Sequence, residues 1–190
     1  MDGVALAAVL CSRNAHKARE LESLLPGWSL TPLDRDDYPP ETGETYVDNA
    51  TIKARFGRRH APGWVLAEDS GLEVAALDGR PGVLSARYAP EGAPAVAKLL
   101  GELEGVEERR ARYVSELVLI APDGYELRGT GTLAGRIAGA PAGSEGFGYD
   151  PIFVPDGEER TVAELGDGWK VRNSHRARAA QALLVVLADA

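Results

Sequence analysis

Five short segments of this chain carry residue types that can do chemistry, and each also has a plain structural explanation. Ser12-Arg13-Asn14-Ala15-His16-Lys17 follows an apolar run and opens an amphipathic stretch, so it lies where a strand hands over to a helix. A helix N-terminus offers unpaired backbone N–H groups and the positive end of a dipole, which together bind phosphate. Ser12 and Asn14 add hydrogen-bond donors, and Lys17 adds a point charge one turn in. Taken alone, a helix cap with an exposed lysine explains this segment better. The same holds for Glu41-Thr42-Gly43 with Asn49 and Lys53, where the four-residue spacing puts Asn49 and Lys53 on one helix face.

Glu68-Asp69-Ser70-Gly71 is stronger. Two acids at the carboxyl end of an apolar strand lie where open α/β sheets bind ligands. Neighbouring strand residues point to opposite faces, so both acids reach one metal only if the chain turns there, as Gly71 allows. The competing explanation is a surface turn. In Gly146-Phe147-Gly148-Tyr149-Asp150-Pro151, two aromatics and an acid suit a planar ring, stacked on its faces and hydrogen-bonded at an edge; a β-turn donating two aromatics to the core suits the pattern equally. Finally, Ser174-His175-Arg176 opens the closing helix, four residues after Lys170. Cations at a helix start oppose the dipole, which favours a ligand-binding reason for them.

The elements that must position these residues follow from the apolar periodicity. Residues 4–11 predict a buried strand, and Asn14 caps a helix to about Leu25 with Ala18, Leu21, Leu24 and Leu25 as its apolar stripe. Residues 31–40 are polar and proline-rich, hence a loop. Thr45 and Asp48 form a capping box for a helix to about His60. Residues 64–67 predict a short strand ending at the Glu68–Gly71 turn, with a new strand through Leu72, Val74 and Ala76. A turn at 79–82, a helix over 93–103, and strands 112–120 and 125–137 joined as a hairpin by Pro122-Asp123-Gly124 come next. A glycine-rich loop over 139–148, a strand at 152–154 and a helix capped by Ser174 complete the chain. Interleaved strands and helices plus a hairpin specify an α/β fold with a mixed sheet.

Composition narrows the chemistry. The chain has 190 residues, long enough for one domain with a substantial core. With 21 Lys plus Arg against 29 Asp plus Glu, its net charge of −8 argues against gripping a nucleic acid polymer. One cysteine, Cys11, excludes an intrachain disulfide and a cysteine-rich zinc site, and the three histidines, His16, His60 and His175, are scattered. A metal would therefore sit on carboxylates, as magnesium or manganese does. The N-terminal apolar run follows Asp2 without a basic leader and is too short to span a bilayer, so the chain reads as cytoplasmic, with no membrane partner. No Walker A loop is present, and Ala142-Gly143-Ser144-Glu145-Gly146 lacks the first glycine of a serine-hydrolase elbow.

Together and in this order, the segments resemble the Ham1/RdgB family of inosine triphosphate pyrophosphatases. The blocks that carry the resemblance are Ser12 to Lys17, Glu41 to Thr45 with Asp48 to Ala50 and Lys53-Ala54, and Glu68 to Leu72. They continue through Pro81 to Tyr88, Gly146 to Phe153, Thr161 to Leu165, Lys170, and Ser174 to Ala177, nearly the whole chain. The resemblance implies a single elongated α/β domain over residues 1–190, with a central mixed, twisted β-sheet flanked by helices and an active-site cleft between two lobes. It also implies a homodimer and Mg²⁺-dependent hydrolysis of inosine, deoxyinosine and xanthosine triphosphates to monophosphate and pyrophosphate.

By position, the resemblance makes Ser12, Arg13, Asn14 and Lys17 the phosphate loop. Glu41 and Asp69 become metal ligands, with Asp69 also the proton acceptor, Glu68 beside it among the catalytic residues, Lys53 a catalytic, phosphate-side lysine, and Ser70 a substrate contact. It gives the base and sugar to Phe147, Gly148, Tyr149, Asp150, Lys170, His175 and Arg176. Three features depart from the family pattern. Arg13 stands where many members have glycine, Glu68 replaces a common aspartate, and the stretch after Tyr88 is several residues short. A donor from Arg176 or Lys170 aimed at O6 of hypoxanthine would face the adenine amino group donor to donor, which rejects ATP. Two alternatives remain at this point: a Maf-like pyrophosphatase with another base preference, and a non-catalytic nucleotide-binding module.

Overall fold

The computed structural model describes residues 6–190. Six strands form one mixed sheet in the order β2-β1-β3-β4-β5-β6. They are β1 (Ala7–Cys11), β2 (Ser29–Pro32), β3 (Trp64–Val74), β4 (Arg110–Ile120), β5 (Glu126–Ile137) and β6 (Phe153–Pro155). β1 pairs in parallel with both β2 and β3, while β5 and β6 run antiparallel. The helices are α1 (Ala15–Leu24), α2 (Tyr46–His60), α3 (Ala93–Glu102), α4 (Val162–Leu165), α5 (Asp167–Asn173) and α6 (His175–Ala188). This is the expected α/β class with a mixed sheet. Among the described residues no helix is long and apolar enough to cross a membrane. The start of the strand expected at residue 4 lies outside the described residues.

Local signals set most boundaries. Asn14 caps α1 by accepting from the His16 and Lys17 amides. Thr45 and Asp48 close the capping box of α2. The 121–125 turn closes the β4–β5 hairpin, with the Ala121 amide donating to the Tyr125 carbonyl. Helix α3 forms as expected, with Gly92 at φ 88° ahead of the first turn.

Four expectations need correction. Part of the loop expected over 31–40 belongs to β2, a four-residue edge strand whose Pro32 is tolerated because an edge needs fewer ladder donors. The chain does not turn at Glu68–Gly71, because β3 runs unbroken to Val74, and Ala76 falls in a following 3₁₀ turn. Helices α4 and α5, four and seven residues long, occupy a stretch with no predicted element. Their start depends on a second capping box, Thr161 with Glu164.

The tertiary contacts divide the chain into two compact units. One comprises the residues up to Asp69, Ser115–Gly131 and those from Arg176 onward; the other comprises Ser70–Val114 and Thr132–His175. In the first unit the two faces of the sheet are covered separately. Leu10, Leu66, Leu117 and Leu119 pack with Leu21 and Leu25 of the α1 region and with Ala179, Ala180 and Leu183 of α6. The alternate residues Cys11, Val65, Ala67, Val118 and Ile120 pack with Ala50 and Ala54 of α2. Helix α2 comes so close that a Cβ on Gly57 would collide with Cys11 Sγ and lie 2.8 Å from Val65 Cγ1. The second unit is built on Leu72, Val74, Leu99, Leu103, Ile152 and Phe153.

Candidate functional site

The alternation of β3 decides where its acids go. Glu68 is in phase with Leu66 and so leaves the sheet on the α1/α6 face, whereas Asp69 is in phase with Ala67 and leaves on the α2 face. Their partners agree. Asp69 is buried; its Oδ1 lies 3.0 Å from Lys53 Nζ, and its Oδ2 accepts from Asn49 Nδ2 at 3.3 Å. Lys53 also donates to Glu41 Oε1 at 2.7 Å, so one buried ammonium touches both carboxylates expected to share a cation. Asn49 is further occupied as acceptor of the Gly43 amide at 2.8 Å, which anchors the segment carrying Glu41 to α2.

Glu68 is wholly buried and has a separate set of partners. Its Oε1 accepts from Ser115 Oγ at 3.0 Å and from the Arg176 guanidinium, with Nε at 3.1 Å. Its Oε2 has no directed hydrogen bond but lies 2.9 Å from Lys17 Nζ, a close ionic contact. Arg176, also fully buried, donates with its other nitrogen to Glu20 of α1. The turn that would let both acids face one metal is absent: an uninterrupted strand sends Glu68 to the cations of α1 and α6. Arg176 is committed to two carboxylates, which also offsets the cost of a cation at a helix start.

The electrostatics follow from these contacts. Burial pushes the Glu68 carboxyl up, but Arg176, Lys17 and Lys53 outweigh it and hold the group well below the usual carboxylate range. Asp69 goes the other way. Burial raises it, and Lys53 and Lys17 only partly compensate. Burial lowers Lys53, but Asp69 and Glu41 more than restore it, so it stays charged. Two neighbouring acids are thus set apart, one a firmly ionised anchor and the other a better proton acceptor.

Arg13 is exposed and lies with its guanidinium carbon 5.4 Å from the centroid of the Tyr38 ring. Asn14, with Ser12 accepting from its amide, keeps the loop folded into the cap of α1.

The second unit holds the other expected group. Asp150 is buried, its Oδ2 taking Lys170 Nζ at 2.7 Å and the Phe147 amide at 2.9 Å, its Oδ1 taking Tyr113 Oη at 3.3 Å. A side chain at Gly146 would strike that carboxylate, which explains the glycine. Lys170 Nζ sits 4.8 Å from the half-buried Phe147 ring. The His175 ring stacks on Tyr113, centroids 4.6 Å apart and planes at 9°. Tyr149 instead joins the core, its hydroxyl donating to the Ser85 carbonyl, so of the two aromatics in the motif only Phe147 remains outside it. Gly148 takes φ 62° between them, and Ser70 is half-buried in β3.

The chain as a whole is similar to known proteins. The Ham1 family profile covers residues 8–186. The chain belongs to the Ham1 family. A Deinococcus deserti protein named dITP/XTP pyrophosphatase is 46% identical over 92% of this chain and 86% of its own length. A Mycobacteroides abscessus protein of the same name is 44% identical over 94% and 93%. The Ham1 protein of Staphylococcus aureus has a similar structure, with TM-score 0.84 and 35% identity over 96% of this chain and 98% of its own.

Several partners in this Ham1-family chain were not singled out from sequence: Ser115 beneath Glu68, Glu20 on Arg176, Tyr113 on Asp150 and His175, and Tyr38 under Arg13. Only Ser115 carries a visible signal, as a hydroxyl inside the apolar β4 run. The described residues contain no group of three or more His, Cys, Asp or Glu arranged to enclose a metal.

Proposed function

We propose that this protein is a divalent-metal-dependent nucleoside triphosphate pyrophosphatase. It hydrolyses the non-canonical purine nucleotides ITP, dITP and XTP to monophosphate and pyrophosphate and so clears deaminated purines from the nucleotide pool. The observation that carries this reading is the meeting of Glu41 and Asp69 on the single ammonium of Lys53, beside a helix N-terminus of the phosphate-binding type. The names of the relatives support it.

The donor set fits a hard cation. Glu41 and Asp69 offer oxygens only, and two carboxylates without a closed cage suit Mg²⁺, which is held by one or two carboxylates plus substrate phosphates. Bound there, Mg²⁺ would neutralise phosphate charge in a chain of net charge −8. The chain's own groups do the rest. Asp69 accepts the proton of the water that attacks the α-phosphorus, Lys53 orients Asp69, and the α1 N-terminus with Ser12, Asn14 and Lys17 receives phosphate oxygens. Glu68 holds Lys17 and Arg176 in place. On the same reading the enzyme works as a homodimer in the cytoplasm, on free nucleotides and not on polymers or membranes.

Base selection falls to the second unit's group. Phe147 offers a face to the purine, while Asp150, Gly148 and His175 shape the surroundings of Lys170. An ammonium is a donor only, so Lys170 favours O6 of hypoxanthine or xanthine and opposes the amino group of adenine. Arg176, whose donors go to Glu68 and Glu20, acts on the site through Glu68.

Two measurements check this. The purified chain with Mg²⁺ converts ITP to IMP and pyrophosphate, preferring ITP and XTP over dUTP, dTTP and ATP, and chelation abolishes turnover; IDP and phosphate as products would overturn the proposal. Lys170→Met narrows the ITP-over-ATP ratio of kcat/KM by roughly 10–100-fold, the worth of one charged hydrogen bond. An unchanged ratio removes Lys170 from base selection.

A further inference from the structure

The residues that surround Lys170 stand on short or terminal elements. Asp150 lies in a three-residue 3₁₀ turn, Lys170 in the seven-residue α5, and His175 is the first residue of α6. Such elements fix a side chain less firmly than the middle of a sheet does. Tyr113 comes from β4, an eleven-residue strand placed between β3 and β5, and it reaches Asp150 and His175 at once. Its hydroxyl donates to Asp150 Oδ1 at 3.3 Å, and its ring stacks on the His175 imidazole with the planes 9° apart. The ring is itself fixed: Tyr113 is buried, and the fully buried Phe153 packs against it with centroids 4.6 Å apart.

An aspartate carboxylate turns readily about its last bond unless both oxygens are engaged. Here the Phe147 amide and Lys170 take Oδ2 while Tyr113 takes Oδ1, so the plane of the Asp150 carboxylate is held. Lys170 gives one of its three N–H donors to that Oδ2, which sets the directions of the other two. We propose that Tyr113 is a positioning residue for base selection: through Asp150 it aims the Lys170 ammonium, and through its ring it holds the His175 imidazole. This rests on the pyrophosphatase reading for what is selected. That Tyr113 is the rigid member of the group rests only on β4 and the packing of its ring.

The test uses the full chain with IMP, which carries the base, and inorganic tripolyphosphate, which does not. Tyr113→Phe keeps the ring and removes the hydroxyl. Its ITP-over-ATP ratio of kcat/KM falls by about three- to ten-fold, the reach of one hydrogen bond acting through a neighbour. IMP affinity falls by a similar factor, while tripolyphosphate affinity stays at the parent's value. Tyr113→Leu also removes the stack, so the base-dependent losses deepen. The His175 imidazole proton resonances, shifted by the stacked ring in the parent and in Tyr113→Phe, move toward their unstacked positions in Tyr113→Leu. Adding Tyr113→Phe to Lys170→Met narrows the ratio no further than Lys170→Met alone, because the hydroxyl acts through the lysine; a further narrowing overturns that route. A parent that hydrolyses ITP, with an unchanged ITP-over-ATP ratio in Tyr113→Phe, overturns the assignment and leaves the enzyme reading standing. Equal losses of IMP and tripolyphosphate affinity, or a lowered melting temperature with an unchanged ratio, would make Tyr113 a structural strut and also overturn it. A parent whose IMP affinity depends on the Tyr113 hydroxyl but which hydrolyses no purine triphosphate would refute the enzyme reading and leave the Tyr113 assignment standing.

Discussion

Asp69→Asn lowers kcat for ITP by about 10²–10⁴-fold, the range of a lost general base, while the affinity for IMP stays within a few-fold of the parent. The amide keeps the size of the carboxyl and can still accept from Lys53 through its oxygen. Three things go: the negative charge, the ability to take a proton, and the hydrogen bond from Asn49, whose Nδ2 would face the new amide nitrogen. Asp69 is suited to that task because burial raises its proton affinity while Lys53 and Lys17 limit the rise. Asn49 and Lys53 hold its two oxygens, so its orientation is fixed in advance. Single-turnover rates with an independent Kd for IMP separate the chemical step from binding. Near-normal turnover in Asp69→Asn would refute the role. A loss confined to affinity would make Asp69 a binding group only.

How much of this could be read from sequence depends on how local each signal is. Asn14, Thr45 and Asp48 act on amides two or three residues away, so the starts of α1 and α2 were legible. The apolar stripes of α1 and α6 and the β4–β5 hairpin were equally plain. The course of β3 was not. Glu68-Asp69-Ser70-Gly71 has turn composition, yet it stays extended because its charges are met by residues distant in sequence, Lys53 for Asp69 and Arg176 and Lys17 for Glu68. Tertiary pairing overrode local propensity. The site shows the same division. Lys53 and Asn49 were visible as one helix face, and Glu41 and Asp69 were candidates by residue type, but their meeting on one ammonium is a property of the fold. Tyr149 was ambiguous because an aromatic beside glycine suits a ligand and a core alike, and its packing in the core cluster is a property of the fold.

Arg176 gives the largest stability prediction. It is 2% exposed and shares two carboxylates, Glu68 at 1% exposure and Glu20 on α1. Arg176→Met keeps much of the side-chain volume but leaves Glu68 buried with Lys17 and Ser115 alone. Stranding one partner of a buried pair costs about 3–5 kcal/mol. In a chain of this size that lowers Tm by roughly 6–20 °C. Adding Glu68→Gln to Arg176→Met removes the stranded charge while Ser115 can still hydrogen-bond the amide, so most of the loss is recovered. Denaturant titration of the parent, both single variants and the double variant gives the coupling energy directly. Strictly additive losses would mean that Arg176 stabilises α6 by packing alone and that Glu68 does not depend on it. A large coupling with kcat still depressed in the double variant would show that the ionised Glu68, firmly deprotonated beside its cations, is needed to hold Lys17 where the phosphates bind. Fold stability and catalysis would then draw on the same buried carboxylate.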